Sequence, residues 1–394
     1  MSLNLDKTTW KRVRLGDIIR RSRTQADPAN GDVDRYVGGG HIDSDNLTIE
    51  RFGDVNDGQI GSTFTYLFQP GQVLFVSARP YLRKSGVVNF SGVVADKTYV
   101  LDAISENGLL QEFLPFVLAS DHFVAYATAG ATGSMNPRLL WGQLQRYEFD
   151  LPPLDEQQRL ADLLWTIERH RASLSDLGVR IAGQRLSAVD RYVTAALDAK
   201  QIRLDAVAEI RSGIAKGKKV NGESIKRPYL RVANVQAGAL DLGEVKTIVV
   251  STVDAERYEL CDGDVLMTEG GDIDKLGRGT VWRDQIEGCL HQNHVFAVRV
   301  DRRAVLPEWI SLHTEATSGR AFFRIAAKRT SNLASVNKTQ VSSLPIGELP
   351  LAEQQAAVTA IGKFDASIAA IRQEDEAAME LRKSLLSGIF GGIE

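Results

Sequence analysis

The 394-residue sequence predicts a mixed α+β fold in which two strand-rich domains are separated by two long antiparallel helices. Three observations predict this fold. A short motif occurs twice, half a chain apart, and each copy opens a long helical pattern that contains no proline. The segments before the two copies alternate short apolar runs with glycine, which is typical of strands and turns.

The repeated motif marks the start of each predicted helix. Residues 152–158 (PPLDEQQ) return 197 residues later as residues 349–355 (LPLAEQQ). Proline just before a helix suits its first turn, and Asp155 with Gln158 three residues on resembles a capping box. The sequence therefore predicts one spacer helix within residues 151–198 and a second within residues 349–394.

Both predicted helices carry an apolar face. Its spacing near 3.5 residues persists for about 35–40 residues, which suits a coiled coil, and each helix would be roughly 55–60 Å long at 1.5 Å per residue. Because each helix follows a similar domain, we expect antiparallel pairing and an internal two-fold axis. The apolar positions are Leu160, Leu164, Ile167, Leu174, Leu177, Ile181 and Ala188, then Val358, Ile361, Phe364, Ile368, Ile371, Ala378, Leu381 and Leu385.

The remaining sequence forms two predicted domains, residues 1–150 and 199–348, that align weakly with each other. We expect Tyr81 and Tyr229 in the cores, and either turn or helix-cap roles for Asn136 and Asn337. The matching segments are Arg14-Leu15 with Arg203-Leu204, Tyr36-Val37 with Tyr229-Leu230, and residues 71–74 (GQVL) with 263–266 (GDVL).

Composition excludes several classes of protein. With 43% apolar and 25% charged residues the chain is neither disordered nor fibrous. No apolar run approaches the roughly 20 residues that cross a bilayer. Two cysteines, Cys261 and Cys289, are too few for a disulfide scaffold or a four-cysteine zinc site. We therefore expect a cytoplasmic protein with no membrane partner and no metal site.

The charges are unevenly distributed although the net charge is only −3. Residues 201–231 carry eight basic and three acidic side chains, and residues 316–340 carry five basic and no acidic ones. Either segment alone could be a solvated face. Two basic domains held apart by helices nevertheless suit double-stranded DNA, because 55–60 Å corresponds to roughly 16–18 base pairs. Each domain would then recognise one half of an interrupted, asymmetric site.

Catalytic and metal-binding alternatives find little support. The loop at 212–217 lacks the Gly-Lys-Ser/Thr ending of a nucleotide-binding loop. Cys289, His291 and His294 lack a fourth metal ligand, and positions 291 and 294 of one strand point to opposite faces. The carboxylates at 269–274 can accept a hydrogen bond from cytosine or end a turn. Residues 150–153 (DLPP) depart from the Asp-Pro-Pro-Tyr motif of amino-methyltransferases.

The layout resembles the specificity subunit of type I restriction-modification systems, and the resemblance covers nearly the whole chain. A single Pro-Leu-x-Glu-Gln is weak evidence, but two copies after two diverged domains are specific. The first domain is similar only through residues 79–84 (RPYLRK) and 133–136 (GSMN). The second is more similar, through residues 228–236 (PYLRVANVQ), 263–266 (GDVL), 269–272 (EGGD), 276–279 (LGRG) and 291–295 (HQNHV).

The resemblance implies a non-catalytic DNA-recognition subunit. Its two domains would recognise the halves of a bipartite site, and its helices would set the gap and dock two DNA methyltransferase subunits, which recruit restriction/translocase subunits. S-adenosylmethionine, ATP and magnesium would then act on those partner subunits, where adenine is methylated. A coiled-coil scaffold protein of a related phage-defence assembly, with only incidental DNA contact, is the alternative.

The candidate DNA-binding residues lie in glycine-containing basic loops, in polar loops before each helix and in the polar run 291–294, for which structural packing is the alternative. In the first domain they are Arg79, Arg83, Lys84, Ser134 and Asn136. In the second they are Arg211, Lys216, Lys218, Lys219, Arg231, Asn234, His291, Asn293, His294, Lys328, Arg329 and Asn332.

Overall fold

The computed structural model describes residues 5–217, 220, 222–329 and 334–391, and the chain divides into two units. The first unit is Met1–Asp176 with Arg372–Glu394, and the second is Leu177–Ile371. Each unit holds one strand-rich domain and a part of each long helix, which confirms the predicted mixed α+β fold. Among the described residues, no helix is both long enough and apolar enough to cross a membrane.

The first domain contains two sheets, of strand order β2-β10-β7-β8-β4 and β5-β3-β9-β6, and a separate antiparallel pair, β1-β11. Its strands are β1 (Lys11–Arg14), β2 (Ile19–Ser22), β3 (Arg35–Val37), β4 (Thr48–Ile49), β5 (Gly53–Asp54), β6 (Phe64–Phe68), β7 (Val73–Val76), β8 (Ser85–Val88), β9 (Gly92–Ala95), β10 (Thr98–Ala103) and β11 (Glu148–Leu151). Its helices are α1 (Leu15–Ile18), α2 (Leu114–Ala119), α3 (Asp121–Gly130) and α4 (Trp141–Leu144), and the long helix α5 (Leu154–Ala199) follows.

The second domain is built from similar elements. Its strands are β12 (Gln201–Arg203), β13 (Ala208–Ser212), β14 (Ser224–Leu230), β15 (Lys246–Ser251), β16 (Val265–Thr268), β17 (Gly270–Gly271), β18 (Gly279–Val281), β19 (Leu290–His291), β20 (Val295–Val300), β21 (Lys328–Arg329), β22 (Ala334–Ser335) and β23 (Pro345–Gly347). Its helices are α6 (Thr252–Tyr258), α7 (Pro307–Glu315), α8 (Thr317–Ala326) and α9 (Lys338–Ser342), and the long helix α10 (Leu351–Phe390) follows.

The two domains share one topology. The sheet order β13-β20-β16-β18 repeats β2-β10-β7-β8, and the parallel pair β14-β19 repeats β3-β9. Gly71 and Gly263, before β7 and β16, both have a φ of 87°, a left-handed conformation that glycine adopts without strain. Their N–H groups donate to Val88 O at 2.7 Å and to Trp282 O at 2.8 Å. The predicted match of residues 71–74 with 263–266 is therefore confirmed.

The long helices α5 and α10 have 46 and 40 residues and pair antiparallel in each unit. In the first unit Arg171 Nε lies 2.9 Å from Asp375 Oδ1, while Arg382 contacts Glu168, three residues earlier in α5. Residue numbers thus rise along one helix as they fall along the other. In the second unit Arg185 Nε lies 2.5 Å from Asp365 Oδ1. The predicted antiparallel pairing is confirmed within each unit.

The apolar faces of the long helices complete the core of each unit. Leu160, Leu164 and Leu386 pack with the first domain, and their equivalents Ala357, Ile361 and Val189 pack with the second. The predicted apolar face is wrong at Leu177 and Leu381, which are 38% and 43% exposed. A spacing near 3.5 residues drifts around a helix of 3.6 residues per turn, so some of its positions turn outward.

Buried glutamines explain the repeated motif. Gln157 Oε1 accepts from Leu110 N at 3.0 Å, and its Nε2 donates to Gly108 O at 2.7 Å and Pro152 O at 2.8 Å. Gln354 makes the same three bonds in the second unit, as described below. The predicted capping box is wrong, because the side chain of Gln158 is exposed and donates to Asp162 in the next turn. The motif joins the start of each helix to its domain.

The structure also decides four smaller predictions. Asn337 caps α9, since its Oδ1 accepts from Gln340 N at 2.9 Å, whereas Asn136 lies in an exposed loop. Tyr229 is buried as predicted. Tyr81 is 50% exposed, so its predicted core position is wrong. In the 3-10 turn Pro80–Leu82 it is Pro80 that faces the interior.

Candidate nucleic-acid interface

In the first domain, four loops meet at one edge of the larger sheet. The register pairs Val76 with Thr98 and Ser22 with Val100, so the ends of β7 and β2 lie beside the start of β10. The loops at 22–27, 77–84 and 96–97 leave the sheet there, and the loop at 131–138 joins them through a bridge between Ala78 and Arg138. We call these residues, together with Arg21 of β2 next to them, the first edge.

The loop at 132–138 is a short hairpin fixed at its base. Thr132 and Arg138 exchange two backbone hydrogen bonds of 3.0 and 2.8 Å, and Arg79 N donates to Pro137 O at 2.7 Å. The guanidinium of Arg138 donates to Ser77 Oγ, to Asp96 Oδ2 and to Asp96 O, at 2.7–3.1 Å. The tip turns at Gly133, whose φ is 108°. This arrangement holds Ser134 and Asn136 on the exposed tip, next to Arg79.

Sequence reasoning missed a group of basic side chains at the first edge. The Cζ of Arg21 lies 4.3 Å from the ring centroid of Tyr99 and 5.3 Å from that of Tyr66. Burial lowers the pKa of Arg21, although Tyr99 and Tyr66 partly offset that effect. Exposed Lys97 precedes β10. The basic run at 20–23 (RRSR) was visible in the sequence, but only the strand register brings it to this edge.

Arg83 does not belong to the accessible surface of the first edge. Its Nε lies 2.6 Å from Asp45 Oδ1, its Nη1 lies 2.8 Å from Asp121 Oδ1, and its Nη2 donates to Ala119 O at 2.7 Å. These partners use the donors that a phosphate would need. Arg83 is therefore a weaker candidate for DNA contact than exposed Arg79. Lys84 is half-buried, and its Nζ donates to Gly39 O at 2.5 Å.

The second domain gathers equivalent loops at the same edge of its sheet. Ser212 pairs with Phe296 and Thr268 with Val295, so the ends of β13 and β16 lie beside the start of β20. We call residues 213–217, 269–278, 292–294, 327–329 and 334–336 the second edge. Its last two segments form the base of a hairpin through β21 and β22, which repeats the base of the loop at 132–138. Val336 N donates to Glu269 O at 2.8 Å.

Five of the predicted residues lie at the second edge. Lys216 and Lys328 are exposed. The exposed ring of His294 lies with its Nδ1 2.6 Å from Glu269 Oε2, and the backbone N–H of Asn293 donates to Ile214 O. Arg329 belongs to β21, and only its backbone is described. Lys218, Lys219 and Asn332 lie outside the described residues.

Two predicted DNA contacts are buried and structural. His291 is 2% exposed, its Nδ1 lies 2.6 Å from Val295 O, and burial lowers its pKa to about 4. Asn234 is 3% exposed, and its amide accepts from Arg231 N and donates to Asp241 O and Glu244 O. Neither side chain reaches the surface, so the expectation of DNA contact is corrected for both.

Two further predicted arginines lie away from the loop tips of the second edge. Arg231 Nη2 lies 3.3 Å from Glu244 O and 3.7 Å from a carboxylate oxygen of Glu244. Arg211 Nη2 donates to Arg257 O at 2.9 Å. Both are half-buried and partnered, so they are weaker candidates for phosphate contact than exposed Lys216. Among the side chains that the structure describes, no three His, Cys, Asp or Glu groups converge to hold a metal ion.

Comparisons with known proteins agree on one family. Residues 7–176 match the family model described as type I restriction modification DNA specificity domain. The chain is 24% identical over 187 residues to the putative type I restriction enzyme MjaX specificity subunit of Methanocaldococcus jannaschii.

The chain is also 23% identical over 265 residues to the type I restriction enzyme EcoKI specificity subunit of Escherichia coli K12. The matches cover 47% and 61% of this chain, and 44% and 56% of those relatives, so the chain spans about half their length.

Two solved structures share the fold over almost the full chain. One, from work on complex assembly and conformational transition of the type I R-M system, covers 98% of both chains with a TM-score of 0.57 and 18% identity. The other is the type I restriction-modification system S subunit from M. genitalium, which covers 100% of both chains with a TM-score of 0.53 and 12% identity. At these identities the likeness concerns the fold.

Proposed function

Because residues 7–176 match the type I restriction modification DNA specificity domain and the chain is similar to two specificity subunits, we propose that it is the DNA-recognition subunit of such a system. Each strand-rich domain recognises one half of a bipartite DNA site. The two halves differ in sequence, because the two domains carry different side chains at equivalent positions.

The first and second edges carry this proposal. One chain contains two edges of the same topology, and each combines exposed basic side chains with a hairpin base. Basic side chains bind phosphates and set the register of a protein on DNA, while short polar side chains on loops contact base edges. Arg79, Lys97 and Arg23 would contact phosphates at the first edge, and Lys216 and Lys328 at the second.

The proposal includes the partners of the subunit. The long helices dock two DNA methyltransferase subunits, and these recruit restriction/translocase subunits. In this proposal the subunit recognises DNA without catalysing a reaction, and S-adenosylmethionine, ATP and magnesium are used by the partner subunits, where adenine is methylated.

Gel-shift titration with and without a co-expressed methyltransferase subunit tests the proposal. The target is first identified by methylome sequencing of a host with and without this chain. We expect the complex to bind that site tightly and a scrambled site weakly. Equal binding to both sites by the complex would refute the recognition role and favour the coiled-coil scaffold. Cleavage or methyl transfer by the purified chain alone would refute the non-catalytic assignment.

The salt dependence of binding tests the role of the two edges. We expect Arg79→Ala and Lys216→Ala each to weaken binding to specific and scrambled DNA alike, and to reduce the slope of log K against log salt by about 1. The matched control is Arg303→Ala, because Arg303 is also exposed but follows the far end of β20. A slope that changes as much in the control as in the edge variants would contradict the assignment.

A further inference from the structure

The hairpin at 132–138 presents an apolar side chain where phosphate contacts alone would require none. Met135 is 90% exposed, the highest value among the large apolar side chains that the structure describes. Single exposed apolar residues are common on protein surfaces. This one stands at the tip of a loop with a fixed base, between the short hydrogen-bonding side chains of Ser134 and Asn136.

The surroundings of Met135 favour a negatively charged partner. The loop at 131–138 contains no acidic residue. Asp96, which lies at the base of the loop, is paired with Arg138 at 3.1 Å. Exposed Arg79 is joined to the loop through Pro137, and Arg21 and Arg138 both lie over the ring of Tyr99, with their Cζ atoms 4.3 and 5.9 Å from its centroid. Charge complementarity therefore selects DNA as the occupant.

The chemistry of the tip selects a part of the DNA. A thioether side chain makes no useful contact with phosphate, but it packs well against apolar groups. The C5-methyl of thymine is the apolar group that bases expose in the major groove, and asparagine can bond both N6 and N7 of adenine there. Met135 and Asn136 together match the two bases of one pair.

We propose that the tip of this hairpin recognises an A·T base pair in the major groove, with Met135 against the thymine methyl and Asn136 on the adenine edge. The inference rests on the proposed function and adds a specificity-determining residue, Met135, to it. Met135 acts through contact with the methyl group, and the fixed base of the loop limits the conformational freedom that binding would otherwise cost.

Replacing thymine by deoxyuridine, which lacks only the methyl group, tests the inference. The thymines of the site are replaced one at a time, and binding by the complex with methyltransferase is measured. We expect one deoxyuridine to weaken binding by the wild-type complex about fourfold, the effect of one buried methyl group. Met135→Ala should bind the thymine site about fourfold more weakly and no longer distinguish thymine from deoxyuridine. Met135→Leu should keep the distinction.

Two further arms separate the possible outcomes. Val253→Ala, at another exposed apolar position, on α6, should keep both the affinity and the response to deoxyuridine. For the Asn136→Ala complex, replacing the adenine that pairs with this thymine by 7-deazaadenine should no longer weaken binding. If Met135→Ala responds to every deoxyuridine as the wild type does while specific binding persists, the inference is refuted and the proposed function stands. If 2-aminopurine placed beside the contact becomes more fluorescent on binding, Met135 is inserted between bases, and the inference is refuted. Sequence-indifferent binding by the wild-type complex would refute both.

Discussion

At the scale of single residues, Gln157 and Gln354 show what the repeated motif does. Gln354 Oε1 accepts from Leu306 N at 2.9 Å, and its Nε2 donates to Ala304 O at 3.1 Å and Leu349 O at 2.8 Å. Gln157 makes the equivalent bonds in the first unit. One amide thus satisfies three backbone groups between a domain and its helix, and no other side chain of that length offers one acceptor and two donors.

Removing either glutamine should destabilise its unit. We expect Gln157→Ala or Gln354→Ala to lower the free energy of unfolding by about 3 kcal/mol, because three buried backbone groups lose their partner. Urea unfolding followed by tryptophan fluorescence measures this. The neighbouring exposed residues provide matched controls, and Gln158→Ala and Gln355→Ala should change stability by less than about 0.5 kcal/mol. Equal effects at neighbouring positions would contradict the role of the motif.

His313 is held in the neutral state by burial and by the hydrogen bond that it accepts from Gly347. The ring is 1% exposed, its Nε2 accepts from Gly347 N at 2.8 Å, and its Nδ1 lies 2.9 Å from Trp309 O. Since Nε2 is an acceptor, Nδ1 carries the proton and a second proton would break the bond to Gly347. Burial lowers the pKa of His313 to about 4.

The lowered pKa predicts a pH-dependent stability. Between pH 6.5 and pH 4 the unfolded chain binds a proton at this residue that the folded chain does not. Stability from neutral His313 is therefore complete above pH 6.5 and is lost as the pH falls, by about 3 kcal/mol in total. We expect His313→Asn to lower stability at pH 7.5 and to flatten its decline between pH 6.5 and 5. Parallel urea-unfolding curves for variant and wild type across this range would contradict the prediction.

At the scale of elements, an arginine at the same position of each repeat joins a domain to both helices. Arg382 of α10 lies 3.0 Å from Glu168 of α5 and donates to Asp45 O of the first domain at 2.9 Å. Arg185 of α5 lies 2.5 Å from Asp365 of α10 and 2.6 Å from Glu315 of the second domain. Arg382 follows Arg185 by 197 residues, as Asp365 follows Glu168.

Breaking the pair in the first unit should be costly, because Arg382 and Glu168 are 4% and 8% exposed at their side chains. We expect Glu168→Leu to lower the free energy of unfolding by about 3–5 kcal/mol, since it leaves a buried charge without one of its partners. Adding Arg382→Met should recover more than half of that loss. The control, Arg180→Met at an exposed position of α5, should have little effect.

A double-mutant cycle decides this prediction. If the free energies of unfolding lost in Glu168→Leu and in Arg382→Met simply add in the double variant, the two side chains are not coupled. In that case their contact does not stabilise the joint between the domain and the helices.

At the scale of the whole molecule, the repeat predicts that the two long helices act as a spacer between the two domains. The helices α5 and α10 each contribute to both units, and the proposed function has them set the gap between half-sites. Removing one heptad from each shortens a helix by about 10 Å, which corresponds to about three base pairs.

Shortening the helices should therefore change the preferred gap. We expect deletion of residues 173–179 together with residues 369–375 to shift the gap of the methylated site by about three base pairs, without altering either half-site sequence. Methylome sequencing of a host that carries the shortened chain measures this. A methylated site with its original gap would refute the spacer role.

Much of this architecture was predictable from the sequence, whereas the accessible part of the candidate interface was not. The two helices follow from the spacing of apolar residues, and the repeat and the matching segments at 71–74 and 263–266 follow from comparing one half of the sequence with the other. Arg79 and Lys216 are exposed at the edges as expected of phosphate contacts, but Arg83 and His291 are not. A basic or polar residue looks the same in a sequence whether its partner is a phosphate, a carboxylate or a buried carbonyl.

By itself the sequence determined the fold class, the internal repeat and the two long helices, because apolar spacing and motif offsets are properties of the chain alone. Only the tertiary structure decided which side chains share an edge. Antiparallel registers pair Ser22 with Val100 and Val76 with Thr98, and they bring Arg21 and Lys97 to the same end of the sheet as the hairpin at 132–138. Burial likewise withdraws Asn234 and His291 from the surface. The strand registers and the burial of these side chains depend on contacts between residues far apart in the chain, which no local pattern encodes.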